Sequence, residues 1–154
     1  MKKLTAILCT TLMVVSLTAC GGGGNKEVKV DAGKLTTELL ATVTTDTLAE
    51  MTVDPSTVYF YEADDVASAT AYASSGATAC EVAVIESKEA SNTENIEKQL
   101  QTRVDNQKEL YASYNAAEAD KLGDAIIKSA GAYTVLCVCD DTDKANEILK
   151  GYGF

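Results

Sequence analysis

The sequence predicts an α+β domain, with a mainly antiparallel sheet of about four to five strands and helices packed against one face of it. Three observations carry this expectation. Two apolar, β-branched runs, ACEVAVIES at 79–87 and AYTVLCVC at 132–139, have the length of strands. A long amphipathic segment at 91–114 separates them. The elements follow in the order α, β, β, β, α, α, β, β, α, runs of strands broken by helices rather than a regular βαβ alternation.

Taken in order, residues 33–51 set Leu35, Leu39, Leu40, Val43 and Leu48 mostly on one helical face. Their threonines weaken helix propensity, so packing has to hold this helix. Pro55, the only proline, disfavours helix at Asp54 and starts a turn. TVYFYEA at 57–63 reads as a strand, with Tyr59 and Tyr61 on one face and Val58 and Phe60 on the other. SATAYASS at 68–75 is a weaker strand, turned by Gly76. In the strand at 79–87, Cys80, Val82 and Val84 face one way and Ala83 and Ile85 the other. The helix at 91–114 takes Asn92 or Thr93 as cap and carries its apolar line through Ile96, Leu100, Val104, Tyr111 and Tyr114. A short helix restarts at 115–118 with Asn115 as cap. Residues 125–129 and 132–139 form a hairpin about Ala130-Gly131. A last helix over 142–150 ends at Gly151.

The N-terminus carries a different message. Lys2 and Lys3 precede an apolar stretch, Leu4 to Leu17, that is too short for the roughly 20 residues a membrane-spanning helix needs. It reads as a secretory signal ending in Leu17-Thr18-Ala19-Cys20, which resembles the lipobox of bacterial lipoproteins. That resemblance implies cleavage before Cys20 and diacylation of its thiol. Two acyl chains hold stably where one is marginal. Gly21 to Gly24 then make a loose tether. The expected organisation is a signal peptide at 1–19, a lipidated tether at 20–31 and one domain at 32–154, displayed on the extracytoplasmic face of the cell membrane.

Without Lys2 and Lys3 the chain holds 11 basic against 23 acidic residues, a net charge of about −12. So acidic a surface repels nucleic acid and anionic lipid headgroups, and it favours cationic peptides or basic proteins. The bilayer is therefore contacted through acylated Cys20 alone. There is no histidine, which removes the usual general base and the commonest zinc ligand. No nucleotide-binding or nucleophile-elbow motif is present. Cys80, Cys137 and Cys139 read first as small buried hydrophobes, a Cys80–Cys139 bridge being the alternative.

Four features in order resemble a family of small Firmicutes lipoproteins, common in clostridia, built on a domain of unknown function. They are the lipobox, CEVAVIES, the Arg103-x3-Gln107-x3-Tyr111-x2-Tyr114 spacing, and Gly131-x-Tyr133-x-Val135. The resemblance implies fold and location but no chemistry.

Arg103 and Gln107 lie one turn apart near the apolar line of the long helix. Together with Tyr111 and Tyr114 they are the candidate binding residues. Arg103 either grips a carboxylate or phosphate bidentately, with Gln107 adding an amide, or lies over the sheet with its head satisfied internally; the second reading is preferred. Tyr59 and Tyr61 suggest an aromatic platform for sugar or peptide, or simply a core edge. Asp140, Asp141 and Asp143 read as helix-start acids rather than a cation loop, and Glu62, Asp64 and Asp65 as a solvated loop. No catalytic residue, metal ligand set or cofactor is assigned. The expected function is a non-catalytic module that binds an envelope protein or peptide. The alternative is a solute- or cation-binding lipoprotein working with a transporter.

Overall fold

The computed structural model describes residues 29–154 apart from Val53. The expected signal, Cys20 and most of the tether lie outside the described residues. Among the described residues five strands form one antiparallel sheet in the order β1-β2-β3-β5-β4: β1 Ala49–Glu50, β2 Val66–Ala73, β3 Glu81–Ser87, β4 Ile126–Ala130 and β5 Tyr133–Val138. Five α-helices accompany them among the described residues: α1 Ala32–Leu40, α2 Pro55–Tyr59, α3 Thr93–Ala112, α4 Ala116–Gly123 and α5 Thr142–Tyr152. None is long and apolar enough to cross a membrane. The α+β class stands as expected.

The helices cover both faces of the sheet, not one. The cause lies in the two central strands. Alternate residues of a strand point to opposite faces. In β3 and β5 both sets are apolar, so each strand must be covered twice. Ala83, Ile85, Leu136 and Val138 pack with Ile96, Leu100 and Val104 of α3 and Leu122 of α4. Val82, Val84, Val135 and Cys137 pack with Leu35 and Leu39 of α1 and Ala145 and Leu149 of α5. Each fully buried aliphatic side chain contributes about 1.5–3 kcal/mol, so neither layer is dispensable.

Three elements depart from the sequence reading. The helix expected over 33–51 stops at Leu40, where Thr42 Oγ1 donates to the Leu39 carbonyl at 2.6 Å. The following threonines spend their backbone groups on the end of β5: Asp140 and Asp141 N–H both donate to the Thr42 carbonyl, and Thr44 and Thr45 N–H donate to the Asp140 carboxylate. The strand expected at 57–63 is instead α2. Pro55 occupies the first helical turn, where its missing N–H is harmless, and Asp54 caps Ser56 N–H at 2.9 Å. Strand β2 starts only at Val66. At the C-terminus Gly151 is helical, and Gly153 closes α5 with φ 94°. Gly131, with φ 59°, makes the tight turn of the β4–β5 hairpin.

Phe60 closes α2 in the left-handed region, at φ 60° and ψ 26°, its side chain 67% exposed. That backbone costs an L-residue about 1–2 kcal/mol. Glycine there loses less than this in added chain entropy. Phe60→Gly is therefore expected to stabilise the full chain by about 0.5 kcal/mol, measured by denaturant unfolding; a loss of more than about 1 kcal/mol would show that the exposed ring makes contacts that outweigh its strain.

Candidate functional site

The residues singled out on α3 do not gather in one pocket. Arg103 turns inward to Glu81, the first residue of β3, whose carboxylate is only 6% exposed. Its Nε lies 2.9 Å from Oε1 and 3.2 Å from Oε2, and its Nη2 2.9 Å from Oε2, a bidentate fork. The guanidinium also sits 5.6 Å over the ring of Tyr59. Burial alone would lower the Arg103 pKa; the Glu81 carboxylate outweighs it and raises the value. Burial, with Glu81 beside it, pushes the Tyr59 phenol far above its ordinary range.

One turn on, Gln107 is half-buried and makes no side-chain hydrogen bond among the described residues. Tyr111 is buried and donates its hydroxyl to the Thr78 carbonyl at 2.6 Å. Tyr114 leans on the Tyr111 ring at 5.1 Å and is mostly exposed. Arg103 and Tyr111 thus fasten α3 to β3 and to the loop before it, which is the structural role preferred for Arg103. Tyr59 and Tyr61 do share a side, stacked at 6.3 Å, but both are buried and form no open platform.

Arg103 does border one cleft. An open hollow of about 330 Å³ lies between β1, α2, α3 and the end of β2. Met51, Val58 and Ala73 give it apolar walls; Glu50, Thr52, Ser74 and Ser75 give it a polar rim. The Arg103 side chain is 20% exposed, and its Nη1 makes no hydrogen bond among the described residues. Since Glu81 neutralises its charge, Arg103 offers the cleft N–H donors without a net positive field. A neutral acceptor such as an amide carbonyl suits that better than a free anion.

A second cluster has no sequence signal behind it. Lys121, at the end of α4, places Nζ 2.8 Å from Asp140 Oδ1, 3.2 Å from the Glu118 carboxylate and 3.4 Å from Cys80 Sγ. Glu118 also accepts from Ala79 N–H at 2.7 Å. These partners come from α4, β5 and the turn before β3, and no spacing in the chain links them. Burial raises the Cys80 thiol, so the cluster holds the sulfur as a thiol rather than activating a thiolate. Cys80, Cys137 and Cys139 are all free and buried, as small apolar side chains would be. Asp140 spends its oxygens on Lys121, Thr44 and Thr45, Asp141 caps α5 at Lys144 N–H, and Asp143 sits in the first turn. Among the described residues no three acidic or sulfur side chains converge as a metal site requires.

Two outcomes follow from these ion pairs. Arg103→Met leaves Glu81 charged, buried and unpaired, and is expected to cost about 3–5 kcal/mol, most of it recovered in the Arg103→Met/Glu81→Leu double variant. Urea unfolding of the three proteins decides it; a single variant within about 1 kcal/mol of wild type would mean that the pair carries no such weight.

The other outcome concerns acid. Burial would raise the Asp140 carboxyl, but Lys121 and the Thr44 and Thr45 N–H groups hold it well below its ordinary 3.8. A carboxyl depressed in the folded state contributes its full stability above its unfolded pKa and loses it as pH falls toward the folded one. Stability is therefore expected to fall below about pH 4, and Asp140→Asn to flatten that slope while costing about 3 kcal/mol at pH 7. Thermal unfolding across pH 2–7 measures both; parallel curves for the two proteins would refute the assignment.

The comparison with family models matches residues 56–139 to the domain of unknown function DUF4358. No curated protein and no solved structure matches the chain. The matched span runs from α2 through β5. It contains the Glu81–Arg103 pair, Cys80, Glu118 and Lys121, and the last three of the four sequence features; Asp140 and the lipobox lie outside it. With more than half its length covered, the chain belongs to the DUF4358 family.

Proposed function

We propose that the chain is a membrane-anchored extracytoplasmic lipoprotein of Firmicutes type whose domain is a non-catalytic binding module, with the Arg103 cleft as its site. The observation that carries the reading is the guanidinium itself. It is locked by Glu81 and Tyr59, yet it keeps unshared N–H groups at the edge of an open hollow of about 330 Å³, the small end of the range for ligand sites. Apolar walls with a few fixed donors suit a side chain and adjoining carbonyl of a protein or peptide partner.

Val30, near the start of the described residues, packs with α1 and α5 on one face of the sheet, while Val58 packs with α3 on the other. Acylation at Cys20 would hold the domain near the bilayer through a loose tether that leaves it free to turn.

Two measurements on the full chain test the reading separately. Cell fractionation should place the wild type in membranes and Cys20→Ser in an unprocessed or released form; a wholly soluble wild type ends the anchor claim. A photo-crosslinker at Ser75, on the cleft rim, should capture a partner in native membranes that the same crosslinker at Glu147, on α5, does not. Val58→Trp, which fills the hollow, should abolish that capture. Equal capture from both positions would overturn the cleft as the site.

A further inference from the structure

We propose that Cys80 and Lys121 form a reversible covalent crosslink, a nitrogen–oxygen–sulfur bridge that dioxygen installs between the two side chains. The site lies in the second polar cluster and is independent of what the Arg103 cleft binds.

Its basis is two reactive groups held in contact. Lys121 Nζ lies 3.4 Å from Cys80 Sγ, and the polar side chains that meet this sulfur among the described residues are Lys121 and Asp140. Asp140 Oδ1 at 2.8 Å and the Glu118 carboxylate at 3.2 Å fix Nζ. The backbone about Cys80 is pinned as well. The Tyr111 hydroxyl donates to the Thr78 carbonyl, Ala79 N–H to Glu118 and Ser74 N–H to the Cys80 carbonyl. Groups positioned in this way react as though each were present at very high concentration. A direct S–N bond would draw Nζ away from both carboxylates. One bridging oxygen spans most of the gap and leaves the lysine stem close to its present path.

Burial selects the reagent. Cys80 is 1% exposed and the Lys121 side chain 16%. Alkylation and disulfide exchange need an accessible thiolate, and burial holds this sulfur as a thiol. Dioxygen is small and uncharged, so it enters where bulkier thiols and disulfides do not.

The step balances with dioxygen as the sole oxidant. The Lys121 ammonium gives one proton to Asp140, which passes it to solvent. The S–H bond, one remaining N–H bond and the O–O bond break. An S–O and an N–O bond form to the same oxygen atom. Sulfur and nitrogen each give up two electrons, and the second oxygen atom leaves with the two hydrogens as water. The bridged nitrogen carries no charge. Oxidation thus exchanges an ion pair for a covalent tie between α4 and the turn before β3, and Asp140 and Glu118 lose their cation.

The test uses the full chain, purified under reductant and then held in oxygen-saturated buffer. Trypsin resolves the two sites, because residues 35–87 contain no lysine or arginine and a bridged Lys121 is not cleaved. Mass spectrometry without reductant should find peptide 35–88 joined to peptide 109–128. The product should be one oxygen heavier and two hydrogens lighter than the sum of the two. Dithiothreitol should release both peptides. Cys80→Ala and Lys121→Arg should each abolish the product, and wild type oxygenated in urea should give at least about tenfold less of it, since the reaction depends on the folded contact. No joined peptide from the folded chain, a product lacking the oxygen, Cys80 recovered in a disulfide or as a sulfinic acid, or an equal yield in urea would each overturn the proposal. If either variant fails to fold, the mass and mapped ends of the wild-type product decide.

Discussion

The Glu81 carboxylate sits at the start of the central strand, nearly out of reach of water, and it must be neutralised. Arg103 does so, and by doing so sets how far α3 slides along the sheet. The rest follows through polar ties. With Arg103 placed, Tyr111 falls on the Thr78 carbonyl two turns later, and α4 then delivers Lys121 to Cys80 and Asp140. Asp140 in turn gathers Thr44 and Thr45, which follow α1 and lead the chain to β1. Apolar packing supplies the bulk of the stabilisation, but it does not set register. Bidentate geometry does, because a guanidinium fork meets a carboxylate well in one arrangement only.

The central strands were legible because their signal is local. The alternation of Val82 and Val84 against Ala83 and Ile85 appears in the structure as written, as do the two hairpin strands and the cap position of α4. The same residues also held the clue to the second helical layer, since a strand apolar on both faces asks for two covers. The misread segments are those where local preference and tertiary demand differ. Tyr59 and Tyr61 look like strand residues by type, yet Asp54-Pro55 starts a helix and the rings are drawn to Arg103 and to each other. Thr42, Thr44 and Thr45 carry no hint of Asp140, almost a hundred residues away.

The candidate site was legible in one residue. Arg103 stood out as a charge on an apolar line, and it is indeed both a structural tie and the one member of its spacing that reaches the cleft. The remaining walls come from the β1 end, α2 and the close of β2, and they meet only after the sheet forms. Lys121 was invisible for a similar reason: a lysine in the last turn of a helix is what the helix dipole favours anyway, so its type conveys nothing.

The placement of α1 has a mechanical consequence. This helix lies on the sheet through Leu35 and Leu39, while its own hydrogen bonds stay within it and its capping turn. A pull applied at Val30 would therefore peel side chains off one at a time, where a pull along the strands would have to shear a whole ladder at once. Under load the domain should give way first at its α1 face. The β2–β3–β5 ribbon and the Glu81–Arg103 pair would keep their shape, so that a taut N-terminal leash need not distort the opposite side of the molecule.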